Sequence, residues 1–119
     1  MIEANSRYHT ILKELIKNIG AEGAILITPD GLPIASEFSV NLDEDTVSAM
    51  GASLLSLSER VLNELDKGEL EEVYVKGKEG YALFTGVGDF AVLGVLTDNS
   101  AKLGLILVEI KKAINKLLS

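Results

Sequence analysis

The stretch "ITPDGLPIAS", residues 27–36, decides how this chain folds, because it predicts a tight reversal between two strands. Pro29 presets the backbone φ of the first central position of a type I turn, and Asp30 suits the second. Gly31 can adopt the left-handed conformation that makes a bulge. The stretch therefore predicts a β-hairpin rather than a ligand-binding loop.

The residues on either side of this turn form the two predicted strands of the hairpin. The segment "GAILIT", residues 23–28, is short and apolar, as expected of a buried strand. The second strand is predicted over Leu32–Ser36. Pro33 has no N–H to donate to a sheet ladder, so this strand should lie at the edge of the sheet or begin there.

A first helix is predicted before the hairpin, because apolar side chains recur at helical spacing and polar side chains fill the opposite face. The apolar positions are Tyr8, Ile11, Leu12, Leu15, Ile16 and Ile19. Gly20 follows the last of them and is expected to end the helix.

A second helix is predicted over residues 44–66, with Asn41 or Asp43 as its N-cap. One apolar stripe, which we expect to pack on the sheet, consists of Val47, Met50, Leu54, Leu57, Val61 and Leu65. A second stripe runs beside it and consists of Ser48, Gly51, Ala52, Leu55 and Leu62.

The two stripes together make this helix apolar over most of its circumference, as is normal for a helix that is buried on more than one side. In a domain of this size no other element remains to cover the outer face. We therefore predict that another chain covers the second stripe, whose small residues would permit a close approach. The alternative is that the helix lies deeper in its own domain.

The second half of the chain predicts three strands and a last helix. The segments "ELEEVYVKG", "YALFTGV" and "DFAVLGVLT" are separated by short glycine-containing turns, so they should form an antiparallel meander. Phe90–Leu96 is apolar on both faces, so the fifth strand should be central. Asn99 or Ser100 is the expected cap of the last helix. Its apolar face consists of Leu103, Ile106, Leu107, Ile110, Ile114 and Leu117.

The resulting order is helix, two strands, helix, three strands, helix. It predicts an α/β fold, a five-stranded antiparallel sheet with helices on both faces. The 119 residues fit one domain, residues 1–119.

The amino-acid composition limits the classes of partner that the protein is expected to bind. The net charge of −7 argues against a nucleic-acid-binding surface, since phosphate contacts need clustered Lys and Arg. Lys111, Lys112 and Lys116 do cluster, but cations suit the C-terminus of a helix. No apolar run approaches the length of a membrane span, so we expect no direct membrane insertion. With no secretory signal, the cytoplasm is the expected location.

No catalytic or metal-binding constellation is recognisable in the sequence. The chain has no cysteine and one histidine, His9, which we expect at the surface or its boundary rather than as a base. Asp43, Glu44 and Asp45 suit a helix N-terminus better than a metal site. Neither a G-x-S-x-G elbow nor an H-E-x-x-H or P-loop motif occurs. We predict no catalytic residue, cofactor or metal, and therefore no enzyme.

Three segments together resemble the Roadblock family: the hairpin "ITPDGLPIAS", the small-residue helix "SAMGASLLSLSERVLNEL" and the final "LGLILVEIKKAINKLL". This family includes the Roadblock-type dynein light chains, the bacterial activator partners of Ras-like polarity GTPases, and the lysosomal scaffold subunits that hold Rag GTPases. The resemblance covers nearly the whole chain, whose compact length is most similar to that of prokaryotic stand-alone members.

The resemblance implies a homodimer in which the second helices pack side by side and the third strands, here Leu70–Lys76, join two sheets into one. It also implies a non-enzymatic regulator or scaffold that binds a small Ras-like GTPase. The expected dimer or partner interface consists of Ser48, Gly51, Ala52, Leu55, Glu59, Leu62, Leu70, Glu72, Tyr74 and Lys76.

Two other functions remain open at this point. One is a sensor module that holds a small ligand between sheet and helix, as domains of profilin-like topology can, although few polar groups interrupt the apolar stretches. The other is a cytoskeletal or motility adaptor that binds a peptide along a sheet edge. The third strand is a better template for such a peptide than the second, which Pro33 weakens.

Overall fold

The elements of the fold follow the predicted order. The computed structural model describes residues 2–119, with the side chains from Ser6 onward. The helices are α1 (Ile2–Ile19), α2 (Glu44–Glu64) and α3 (Leu103–Leu118), and the strands are β1 (Gly23–Ile27), β2 (Pro33–Phe38), β3 (Val73–Gly77), β4 (Gly80–Val87) and β5 (Ala91–Asp98). The predicted α/β class is therefore confirmed.

The five strands form one sheet in the order β2-β1-β5-β4-β3, and every neighbouring pair is antiparallel. β5 lies in the middle, as predicted from its apolar character on both faces. β2 and β3 are the two edges, and the edge position of β2 agrees with the proline at its first residue.

The β1–β2 turn has the predicted chemistry. The Gly31 N–H donates to the carbonyl oxygen of Thr28 at 3.0 Å, and Gly31 has a φ of +96°. The Thr28 hydroxyl donates to Asp30 Oδ1 at 2.6 Å and accepts from the Leu32 N–H at 3.0 Å. The hairpin register shifts between Leu26 and Ile27, which confirms a bulge beside the turn. β2 runs from Pro33 to Phe38, further along the chain than predicted.

Helices cover both faces of the sheet. Side chains alternate along a strand, so neighbouring residues of β5 enter different clusters. Leu93 and Val95 pack with α1 and α3, whereas Val92 packs beneath α2. α2 alone therefore covers one face, and α1 and α3 together cover the other.

Of the two N-cap predictions, the one for α2 was correct and the one for α3 was wrong. Asp43 caps α2, since its carboxylate accepts from the Asp45 N–H at 3.2 Å and from the Thr46 hydroxyl at 2.7 Å. The prediction of Asn99 or Ser100 as the cap of α3 was wrong, because α3 begins only at Leu103. The Ser100 hydroxyl and N–H instead donate to the Asp98 carboxylate at 2.5 and 2.9 Å, which closes a turn after β5.

Candidate interaction surface

The face of α2 that meets the sheet is not the face that we predicted. Ser48, Gly51 and Leu55, which we expected on the outer face, are buried against the chain's own sheet. A Cβ built on Gly51 would lie 2.5 Å from Cε1 of Phe84. The small residues of this stripe therefore make room for an aromatic ring of β4, and the prediction that another chain covers Ser48, Gly51 and Leu55 was wrong about their side of the helix.

The stripe that we expected to face the sheet lies in large part at the surface. Met50, Leu57, Val61 and Leu65 have 59%, 58%, 46% and 61% of their area exposed, and only Val47 of this stripe is fully buried. Leu54 is half-buried and packs against the cluster beneath α2. Because both stripes are apolar, their periodicity alone did not indicate which of them faces the sheet.

The other α2 residues predicted for the interface, Ala52, Glu59 and Leu62, differ in how much of their side chains is exposed. Ala52 is half-buried beside the β1–β2 turn, since a Cβ on Gly31 would lie 3.4 Å from the Ala52 Cβ. Glu59 is exposed and Leu62 is half-buried. Ala52 and Glu59 can therefore meet a partner without any rearrangement of the helix.

The β3 edge presents some of the predicted residues and one that the prediction omitted. Tyr74 and Lys76 are exposed on β3, whereas Leu70 and Glu72 precede the strand. Leu70 packs against the cluster beneath α2. The residue that sequence reasoning missed is Val75, which is 50% exposed on this edge strand. The sequence could have indicated Val75, because it lies between the predicted edge residues Tyr74 and Lys76 and its side chain points to the opposite face of the strand.

An open cleft of about 800 Å³ lies between the C-terminal half of α2 and the β4–β5 turn. Its lining includes the side chains of Leu55, Leu62 and Leu70 and the carboxylates of Glu59, Asp66, Glu69 and Asp89. Across the described residues, no three His, Cys, Asp or Glu side chains are grouped so that they could hold a metal ion. At the start of α2, the Asp43 carboxylate instead caps the helix.

The single histidine takes part in a contact between α1 and β2. His9 Nδ1 lies 2.6 Å from Glu37 Oε2, and both side chains are partly exposed. At the hairpin turn, the hydrogen bond from the Thr28 hydroxyl holds the pKa of Asp30 below its usual value of 3.8. These contacts join α1 to β2 and shape the β1–β2 turn.

The fold and this surface define a small α/β domain with an exposed apolar stripe on one helix and an open edge strand. The sequence model of the Roadblock/LC7 domain matches residues 8–97. The chain therefore belongs to the Roadblock/LC7 family, and the resemblance found in the sequence is confirmed.

Relatives and solved structures are similar to this chain in sequence, in fold or in both. An uncharacterized protein of Methanocaldococcus jannaschii, MJ0310, is 36% identical over 107 residues, which cover 90% of this chain and 93% of that protein. Myxococcus xanthus MglB superposes with a TM-score of 0.87 at 25% identity, over 94% of this chain and 85% of that one. Profilin IB of Acanthamoeba castellanii shares the fold, with a TM-score of 0.69 at 11% identity over 93% and 96% of the two chains.

Within residues 2–119, no helix combines the length and the apolar character that crossing a membrane requires.

Proposed function

We propose that this protein is a homodimeric regulator or scaffold that binds a small Ras-like GTPase in the cytoplasm. The observation that carries the proposal is the exposed apolar stripe of α2, which we call the α2 stripe: Met50, Leu54, Leu57, Val61 and Leu65. Membership of the Roadblock/LC7 family supports the regulatory or adaptor role.

The α2 stripe has the spacing of a helix-pairing seam. Its members follow one another at steps of four, three, four and four residues, the last being the C-cap Leu65, and such steps keep side chains close to one line along a helix. Four of the five members are 46% to 61% exposed. A second copy of the same helix offers a complementary apolar line, so pairing of two copies would remove this surface from water.

The β3 edge supports the same two-fold arrangement. An edge strand carries a row of unpaired N–H and C=O groups that another strand can satisfy. β3 also exposes Tyr74 (46%) and Val75 (50%). Antiparallel pairing of β3 with its copy would continue the sheet across the dimer, and both α2 helices would then lie on the same side of it.

A different part of α2 is available to the GTPase. Ala49, Ser53 and Ser56 are exposed, and a shallow hollow of about 370 Å³ is lined by Ala52, Ser53, Ser56, Leu57 and Arg60. Small side chains allow a partner's backbone and side chains to approach closely. This surface borders the α2 stripe at Leu57, which lines both, and its remaining residues are the part of α2 that we assign to the GTPase.

The homodimer is tested by the substitution Leu57→Glu, which places a charge in the α2 stripe. We expect the wild-type protein to have the solution mass of a dimer at micromolar concentration and the variant to have that of a monomer, because a buried unpaired carboxylate is costly. The matched control is Leu32→Glu, at a residue of similar exposure in the β1–β2 turn, which should remain dimeric. A monomeric wild-type protein would contradict the homodimer.

The GTPase is tested by mixing the protein with the small GTPases of its host, each loaded with GDP or GTP, and measuring the mass of the complex. Ser56→Arg should abolish the complex but keep the dimer, because the long cation occupies the hollow on α2. Ser6→Arg makes the same change on α1 at an exposed residue and should leave binding unchanged. If the wild-type protein binds none of these GTPases, the proposed function is contradicted, but the proposal of a homodimer is not.

A further inference from the structure

The charges of this chain are divided unequally between the layer of α1 and α3 and the rest of the chain. Residues 2–19 and 102–119, which contain α1 and α3, carry seven of the eleven Lys and Arg residues but three of the eighteen Asp and Glu residues. Their net charge is +4, whereas residues 20–101 carry −11. The net charge of −7 therefore conceals a basic helical layer.

The free lysines of this layer lie on its outer side. Lys13 and Lys17 are exposed one turn apart on α1, and Lys111 is exposed on α3. α1 and α3 pack on the sheet through other residues, such as the buried Leu12 and Ile110. The lysines therefore point away from the sheet.

The acidic residues whose contacts are described in this layer are already paired with lysines. Lys116 Nζ lies 2.7 Å from Glu14 Oε1, and Lys112 Nζ lies 3.2 Å from Glu109 Oε2. The hydrogen bond from Lys116 holds the pKa of Glu14 below its usual value. These pairs offset two of the layer's cations and leave four of its lysines without a salt bridge among the described residues: Lys13, Lys17, Lys102 and Lys111.

Apolar side chains lie exposed among these lysines. Outside β3 and α2 with its C-cap Leu65, seven of the described large apolar residues are exposed, and four of them belong to α3 or to the turn beside its end. Leu105 (43%) and Val108 (52%) lie on the first turns of α3. Leu118 and Phe90 flank Gly88 near its other end, at 3.1 and 3.9 Å from a Cβ built on that glycine.

We propose that the outer face of α1 and α3 docks peripherally on an anionic lipid bilayer. We call this surface the basic face, and it consists of Lys13, Lys17, Leu105, Val108 and Lys111. Lysines near a membrane surface are attracted by anionic headgroups, and apolar side chains beside them enter the boundary between headgroups and acyl chains. The exposed apolar side chains distinguish this partner from a nucleic acid, whose phosphates need cations alone.

The acidic part of the molecule orients the docking. Residues 20–101 carry the excess of negative charge, which an anionic surface repels, so the basic face is the side that meets the bilayer. Docking of the basic face on a bilayer does not require a bound GTPase. In a two-fold dimer joined through β3, both basic faces would lie on one side of the continuous sheet and would act together.

The test is sedimentation of the full chain with vesicles. We expect binding to vesicles of phosphatidylcholine and phosphatidylglycerol in equal parts and none to vesicles of phosphatidylcholine alone. Binding should fall when salt rises from about 0.1 M to about 1 M, which shortens the screening length from about 10 Å to about 3 Å. The double variant Lys13→Ser/Lys111→Ser should bind more weakly by about fivefold for each lysine.

Matched variants separate the membrane from other partners. Lys67→Ser/Lys78→Ser removes the same charge from the acidic part and should bind like the wild-type protein. Val108→Ser should weaken binding, whereas Leu32→Ser, at an exposed leucine elsewhere, should not. All of these residues are exposed, and unchanged thermal unfolding checks that each variant is folded.

Three results would overturn the proposal. The first is an absence of binding to the mixed vesicles, and the second is equal binding to neutral vesicles. The third is binding that is unchanged by Val108→Ser and fully competed by heparin. The last result would assign the basic face to a soluble polyanion.

Discussion

At the scale of residues, two glycines hold one aromatic ring. A Cβ on Gly51 of α2 would lie 2.5 Å from Phe84 Cε1, and a Cβ on Gly94 of β5 would lie 2.6 Å from the same atom. Phe84 itself is 5% exposed. The ring therefore fills the space that two side chains would need, and this contact fixes which side of α2 meets the sheet.

We expect Gly51→Ala to destabilise the protein. Alanine favours a helix over glycine by roughly 1 kcal/mol, but overpacking a filled core costs about 1–3 kcal/mol, and Phe84 has Gly94 on its other side. Gly104→Ala is the matched control in α3, where nothing lies within 4 Å of an added Cβ, and it should stabilise the protein. Urea unfolding at one fixed protein concentration measures both changes. A Gly51→Ala variant as stable as Gly104→Ala would contradict the packing described for Phe84.

The Thr28–Asp30 hydrogen bond should be visible in the titration of the turn. Because the folded pKa of Asp30 is lowered below 3.8, this carboxylate contributes stability at neutral pH, and that contribution is lost as the pH falls through the lowered value. Thr28→Val removes the hydroxyl donor. We expect the pKa of Asp30, followed by NMR of the carboxyl carbon, to rise toward 3.8 in this variant. A pKa that stays where it is in the wild-type protein would show that the hydroxyl is not the cause.

At the scale of elements, the two edges of the sheet are not equivalent. β2 begins with Pro33, which has no N–H, and its Ser36 side chain donates to Glu44 of α2. β3 has no proline, and its exposed residues include Tyr74 and Val75. β3 is thus the edge that is open to another strand, and the proposed dimer uses it.

The charges next to β3 suggest its register in the dimer. If two copies pair antiparallel about Tyr74, Glu72 of each copy lies opposite Lys76 of the other, and opposite charges in such cross-strand pairs are stabilising. Glu72→Lys should weaken the dimer by about tenfold or more, because two attractive pairs become repulsive. The double variant Glu72→Lys/Lys76→Glu should restore it. Sedimentation equilibrium measures both, and a double variant no tighter than the single one would exclude this register.

At the scale of the whole molecule, the sheet separates two surfaces of different chemistry. One side carries α2 with its exposed apolar stripe, and the other carries α1 and α3 with the basic face. A two-fold axis perpendicular to the sheet at β3 keeps these sides apart in the dimer. A partner protein on α2 and a charged surface beneath α1 and α3 could then be bound at the same time.

Much of the fold could be predicted because local chemistry and periodicity point to one solution. Pro29, Asp30 and Gly31 determine the hairpin, Pro33 marks an edge strand, and the two-sided apolar character of β5 requires the centre of the sheet. The α3 cap was missed because Asp98 competes successfully for the Ser100 hydroxyl and N–H.

The candidate site was predicted less well than the fold. Tyr74, Lys76 and Glu59 are exposed as an interface requires, but Ser48, Gly51 and Leu55 are buried in the chain's own core. The helical pattern indicated that α2 has two apolar stripes, but it did not indicate which of them faces the sheet. That choice depends on Phe84, a residue of another element.

The sequence by itself therefore determined the order of the elements, the hairpin, the central and edge strands, and the family. Only the tertiary structure decided which stripe of α2 is exposed and which cations share a surface. The physical reason is the same in both cases. A turn or a period depends on residues that are close in the chain, whereas the packing of Gly51 on Phe84 and the meeting of α1 with α3 depend on residues that only folding brings together.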